Sequence, residues 1–211
     1  MSQHPVVEDA ELDGNPAARR RRARRGEGDR LRSEIVDAAS RMLASTGEVG
    51  DLSLRAVARE VGVATTSIYL HFAKLDELIL AVKIRFFDDF GEELDAAANA
   101  AGEEPLVRAT ARAHAYIRYG LHHRGRYRAM FSSEMLPPHL IPNVSYVGVE
   151  LFEAVRSEIA AIIGPAQDSA MLAVHFWTAL HGIVTLRSVR RSFPWPDLTQ
   201  EVDDLIARLL R

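Results

Sequence analysis

The chain has 211 residues, 47% of them hydrophobic, which suits one or two domains with a buried core and excludes a disordered polymer. It has no cysteine, which excludes disulfides, thiolate zinc sites, iron–sulfur clusters and a cysteine nucleophile, and fits a reducing cytosol. The net charge of −3 is unevenly spread: residues 1–18 hold four acids and no Lys or Arg, residues 19–73 hold 11 basic against 7 acidic residues, and residues 74–211 hold 15 against 18.

The positive segment points to local contact with a polyanion rather than to a wholly basic protein. Residues 1–18 lack the apolar stretch of a secretory signal, and no run of about 18 apolar residues occurs; a cytoplasmic protein with no membrane span is expected. Residues 1–28 read as a disordered arm, broken by Pro5, Gly14, Pro16, Gly26 and Gly28. The arm carries the run Arg19-Arg20-Arg21-Arg22-Ala23-Arg24-Arg25. A solvated tail explains such a run; so does a grip on DNA phosphates, with Arg24 and Arg25 as candidate contacts.

From about residue 30 the apolar period is helical. Leu31, Ile35, Ala38, Ala39, Met42 and Leu43 form one stripe, ended by Gly47 and Gly50. Leu54, Val57, Ala58 and Val61 form a second, with Ser53 as N-cap and Gly62 as stop. A third short helix fits Thr65 to Phe72. Leu75, Leu78, Ile79, Val82, Phe86 and Phe90 mark a long fourth helix, with a break at Gly102 and Pro105. Further helices are predicted at about 105–123, 126–135, 143–163, 166–191 and 197–211, with a proline-rich loop from Leu136 to Pro142. No alternating strand pattern and no repeat is present, so the class is all-α.

Two short helices joined at Gly62 have the outline of a helix-turn-helix. Ala58 is small where the helices cross, Gly62 allows positive φ, and Ile68 plugs the second helix into the core. Thr65, Thr66 and Ser67 then sit at its N-terminal turn, where short hydroxyls reach base edges or phosphates.

The block Leu54-Arg55-Ala56-Val57-Ala58-Arg59-Glu60-Val61-Gly62-Val63-Ala64-Thr65-Thr66-Ser67-Ile68-Tyr69-Leu70-His71-Phe72 resembles the DNA-binding domain of the tetracycline-repressor (TetR/AcrR) family. The resemblance spans about Arg30 to Phe90. It implies an N-terminal three-helix DNA-binding domain (29–90, motif 53–72) followed by a helical bundle (91–211) for dimerisation and ligand binding. It also implies that Ser53 and Arg55 anchor the first motif helix on the DNA backbone, that Thr65, Thr66 and Ser67 enter the groove, and that Tyr69, His71 and Lys74 meet phosphates. Ala64 departs from the family's Ser or Thr cap, leaving Thr65 to take that place. Leu75 stands where a lysine is frequent.

In the second domain, Trp177, His181 and Gly182 resemble a Trp–His–Gly signature of one C-terminal subclass. The helix that carries them is apolar nearly all round, which predicts burial on most sides. Its small and polar stripe, His175, Thr178, His181, Gly182, Thr185 and Ser188, fits either a close helix contact or a cavity wall. The family pattern implies a homodimer through 166–191 and 197–211. Tyr116, Tyr119, Met130, Phe131, Met135, Phe152, Trp177 and His181 are candidate contacts for a small hydrophobic or aromatic effector, or else plain core.

No metal-ligand spacing, phosphate loop or nucleophile elbow is present, so neither metal, cofactor nor catalysis is expected. A ligand-responsive repressor on a palindromic operator is the primary expectation. A helical binding module with a vestigial DNA head and an arm-driven, non-specific DNA-binding protein are the alternatives.

Overall fold

The computed structural model describes residues 27–131 and 148–210. Their regular structure is entirely helical. The elements are α1 (Glu27–Thr46), α2 (Leu54–Val61), α3 (Thr65–Tyr69), α4 (Leu75–Ala101), α5 (Pro105–His122), α6 (Arg124–Phe131), α7 (Val149–Ile163), α8 (Ser169–Val189) and α9 (Leu198–Leu210), with a 3-10 turn at Val49–Asp51. Arg24, Arg25, Met135 and the predicted proline loop lie outside the described residues.

α1 to α3 and the start of α4 form the head. Ile35, Ala38, Ala39 and Leu43 recur at helical spacing on α1, and each is at most 1% exposed. Gly47, at φ 65°, takes the left-handed turn that ends α1. α4 is 27 residues long and buries one stripe from Leu78 through Phe86, Phe90 and Leu94 to Ala98. Its first half packs on α1 and its second half pairs with α5, the most extensive helix contact of the fold. Head and body therefore share one continuous rod, which runs through residue 90 unbroken.

Helix starts in the body follow side-chain chemistry. The Glu104 carboxylate accepts from the N–H groups of Leu106 and Val107 at 3.3 and 2.8 Å, and Pro105 opens α5. Asp168 accepts from Ala170 and Met171 at the start of α8, and Asp197 from Gln200 near the start of α9.

Two expectations need correction. α3 ends at Tyr69 rather than Phe72, because the His71 and Phe72 N–H groups both turn back to the Ile68 carbonyl. Thr65 does not cap α3: Ala64 holds the cap position, in extended backbone and with no side-chain hydrogen bond. Within one chain α8 is covered on one side, and the burial expected on most sides would need a partner. Only Ala173, Phe176, Leu180 and Val184 are buried in the single chain, while Met171, Val174, Trp177, Leu186 and Val189 stay exposed. By length and a mean hydropathy of 1.4, α8 is also the one described helix long and apolar enough to cross a membrane. His175, Thr178, His181 and Thr185 interrupt its apolar run, which is why a search for continuous apolar sequence passes over it.

Candidate nucleic-acid interface and internal cavity

The head presents α2 and α3 as a pair. The Ser53 hydroxyl oxygen accepts from the Ala56 N–H at 3.1 Å, fixing the start of α2. At its end Gly62 adopts φ 80°, and the N–H groups of Gly62 and Val63 both donate to the Ala58 carbonyl at 2.9 Å. That turn needs the left-handed region, which glycine enters without penalty. It brings α3 across α2 with Ile68 at 0% exposure beneath it.

With Ile68 inward, the rest of α3 faces out. Thr66, Tyr69 and Leu70 are exposed, while Thr65 and Ser67 are half-buried. The Tyr69 ring is 54% exposed, so it is not a core residue, whereas Phe72 is. Ser53, Arg55 and Lys74 are exposed along the same stretch, and His71 is half-buried beside the start of α1. Hydroxyls, a phenol and cations therefore gather around one short helix. Leu70, at 84% exposure, is the apolar member that the sequence reading did not single out.

The head is tied to the body through α6. Gly125 lies so close to the end of α1 that a Cβ there would stand 2.1 Å from the Ala44 carbonyl oxygen. Three residues on, Arg128 donates from Nε to the Gly47 carbonyl at 3.1 Å and pairs with Glu48. Arg126 reaches Asp89 on α4 at 3.1 Å. The same helix carries Tyr127 and Phe131 into the body.

The body holds a half-open cavity of about 430 Å³ between α4, α5, α7 and α8, with Phe131 reaching in from α6. Tyr116, Phe131, Phe152 and Trp177 line it, as the sequence suggested. Tyr119, Met130 and His181 do not: Tyr119 and Met130 are buried core at 2% and 3% exposure, and His181 stands behind Tyr127. Phe87, Phe90, Leu94, Val155 and Arg112 complete walls that sequence reasoning missed. Arg112 had a readable signal, since it interrupts the inward stripe of Ala109, Ala113 and Tyr116.

Arg112 is 3% exposed and bound on both sides. It donates from Nε and Nη2 to Glu158 at 3.1 and 2.9 Å, and from Nη1 to Asp95 at 2.5 Å. Burial pulls its pKa down, but the hydrogen bonds and charges of Glu158 and Asp95 outweigh burial and hold it above the usual value. A second polar feature leads away from the cavity. The Tyr116 and Tyr127 hydroxyls are 2.9 Å apart, and the Tyr127 hydroxyl lies 2.6 Å from His181 Nδ1. Burial raises both phenols and lowers the imidazole, so all three are neutral at pH 7.

The His181 shift has a sign. The unfolded imidazole holds its proton up to about pH 6.5, and the folded one releases it at lower pH. Its contribution to stability is full above about pH 6.5 and is lost as pH falls through the folded value. Melting temperature should therefore drop between about pH 7 and pH 5, and His181→Gln should flatten that slope. An unchanged slope in the variant would assign the acid sensitivity elsewhere.

Comparison with known proteins decides the family. A family model described as bacterial regulatory proteins, tetR family, matches residues 35–82, and one described as tetracyclin repressor-like, C-terminal domain, matches residues 109–211. An HTH-type transcriptional regulator of Mycobacterium tuberculosis, Rv0681, is 30% identical over 164 residues, covering 74% of this chain and 69% of that protein. The chain belongs to the TetR family. TetR membership makes it a DNA-binding transcriptional regulator, with the exposed α2–α3 pair as its helix-turn-helix. Solved structures agree in fold. A Rhodococcus sp. RHA1 protein superposes at TM-score 0.71 with 26% identity, over 86% of this chain and 94% of that one. The TetR family regulator PfmR of Thermus thermophilus superposes at 0.61 with 14% identity, over 85% and 95%.

Proposed function

We propose that this TetR regulator is a homodimeric repressor whose operator affinity is set by a small molecule in the α4–α5–α7–α8 cavity. The observation that carries the DNA reading is the α3 surface, where Thr66 and Tyr69 are exposed on either side of the buried Ile68. In this reading Thr65, Thr66 and Ser67 meet base edges in the major groove. Ser53, Arg55, Tyr69, His71 and Lys74 hold phosphates and set register, and Arg24 and Arg25 add phosphate contacts from the arm.

The uncovered apolar face of α8 supports the dimer. Met171, Val174, Leu186 and Val189 are exposed in one chain, and a monomer gains nothing from leaving them wet. Pairing α8 and α9 with their copies covers that face isologously and sets two α3 helices for successive major grooves of a palindrome, about 34 Å apart. A ligand in this cavity, against Phe90 of α4 and Phe131 of α6, favours one arrangement of the helices that reach the head, and so shifts the population of DNA-competent dimers. Work on DNA fits a cytoplasmic protein.

Selection of bound duplexes from a random pool, at near-physiological salt, tests this. A palindrome should emerge with the full chain. With residues 1–26 deleted the same palindrome should emerge more weakly and with a shallower salt dependence. A folded dimer that enriches no motif would overturn the operator reading, and loss of all binding with the arm would leave an arm-driven DNA binder.

A further inference from the structure

Arg112 is the one charged side chain among the described residues that line the cavity, and its charge is already matched. Glu158 and Asp95 hold it on three N–H groups. Arg108 reaches the same Glu158 at 3.2 Å and is itself held by Asn99 and by the carbonyls of Ala98 and Gly102. Two guanidiniums face two carboxylates, so this corner is neutral. An incoming anion must draw Arg112 from carboxylates that already satisfy it in a buried place, and an incoming cation meets no unmatched carboxylate among the described lining residues. The other described walls are aromatic and aliphatic: they return nothing to an anion, and to a cation only the attraction of ring faces, which is smaller than the hydration it loses.

What the described walls offer besides is two uncharged polar groups, the Tyr116 hydroxyl and the Trp177 indole N–H. Tyr116 stands on its wall, at the end of the hydrogen-bonded row that runs through Tyr127 to His181 Nδ1. If Nδ1 accepts, Tyr127 donates to it, Tyr116 donates to Tyr127, and the Tyr116 oxygen, which also takes the Trp177 indole N–H, keeps one lone pair for a ligand. If Nδ1 carries the proton, every bond reverses and Tyr116 donates to the ligand. One wall atom thus serves a ligand hydroxyl or a ligand carbonyl.

We infer that the cavity selects uncharged, largely apolar molecules, aromatic ones foremost, with a single hydroxyl or carbonyl seated on the Tyr116 hydroxyl. This rests on the cavity being the effector site. The edges of Phe90, Phe131, Phe152 and Trp177 give such a ring its contacts.

Calorimetric titration of the full-length dimer at pH 7 with four matched probes tests it: naphthalene, 2-naphthol, 2-naphthoate and 2-naphthylmethylammonium. 2-Naphthol should bind tightest, by about tenfold or more over either ion and by about three- to tenfold over naphthalene, the worth of one hydrogen bond. Tyr116→Phe should bring 2-naphthol down to the affinity of naphthalene and leave naphthalene itself unchanged, which also reports an intact cavity. The ranking of the four probes on the native chain stands without the variant. If either ion matches 2-naphthol, the inference is overturned while the cavity remains the effector site. If the folded dimer binds none of the four, the effector reading falls and this inference falls with it.

Discussion

Thr66→Ala combined with Tyr69→Ala should lower operator affinity about a thousandfold and leave the dimer intact. Both side chains are exposed on α3, Tyr69 at 54%, and neither supports the core. A dimer presents each of them twice, so four contacts vanish. At about 1 kcal/mol per contact the loss is about 4 kcal/mol, or three orders of magnitude in Kd. Ile68→Ala is the contrasting change. Its side chain is fully buried, and truncation should cost about 2–5 kcal/mol of stability before any DNA is added. Gel-shift titration with the selected operator, alongside sedimentation for oligomeric state, separates the two. If the double variant binds within threefold of the native chain, α3 is not the reading helix; if it falls apart into monomers, the two residues belong to the assembly.

Gly125→Ala should destabilise the protein by about 3 kcal/mol, against the usual sign for that replacement in a helix. The added Cβ would lie 2.1 Å from the Ala44 carbonyl oxygen and 2.8 Å from its carbon, both backbone atoms with no rotamer to escape into. α6 must then move off the end of α1, taking with it the Arg128 bond to the Gly47 carbonyl. Gly91→Ala on α4 is the control: its Cβ would meet nothing within 4 Å, and it should gain about 0.5–1 kcal/mol from helix propensity alone. Urea unfolding of the two variants reads the difference directly. Equal stability would mean that the α1–α6 contact yields freely and does not fasten the head to the body.

The head was far more legible in the sequence than the cavity. Ala58, Gly62 and Ile68 each answer a separate local demand, for closeness, for positive φ and for an inward plug, and the three demands coincide in one arrangement. The ends of α4, α5, α7 and α8 were equally readable, because Gly102, Pro105, Gly164 and Asp168 act on their own neighbours. A void is different, since it depends on what several helices leave unfilled. Periodicity says that Tyr116 and Tyr119 both point inward from α5, but they stand about 60° apart around its axis. One meets the cavity, and the other is buried against Phe90 and capped by the exposed His123 ring. Arg112 escaped notice for a related reason: its partners are 17 and 46 residues away, and only the fold brings Asp95 and Glu158 to it. The apolar girth of α8 was legible as a demand for cover, of which its own chain supplies one side, along Ala173, Phe176, Leu180 and Val184.

The length of α4 has a mechanical meaning. At 1.5 Å per residue its 27 residues make a rod of about 40 Å, with the cavity beside its far half and the reading head at its near end. Tilting such a rod by about 5° about one end carries the other through about 3.5 Å, close to the spacing of successive base pairs. Phe90 lies about 17 Å from the far end, so the same tilt moves it about 1.4 Å; a shift of that size at the cavity would become one base step at the reading head. On the proposed mechanism, release from DNA would call for a stiff lever and a groove that tolerates no misfit rather than for a large rearrangement.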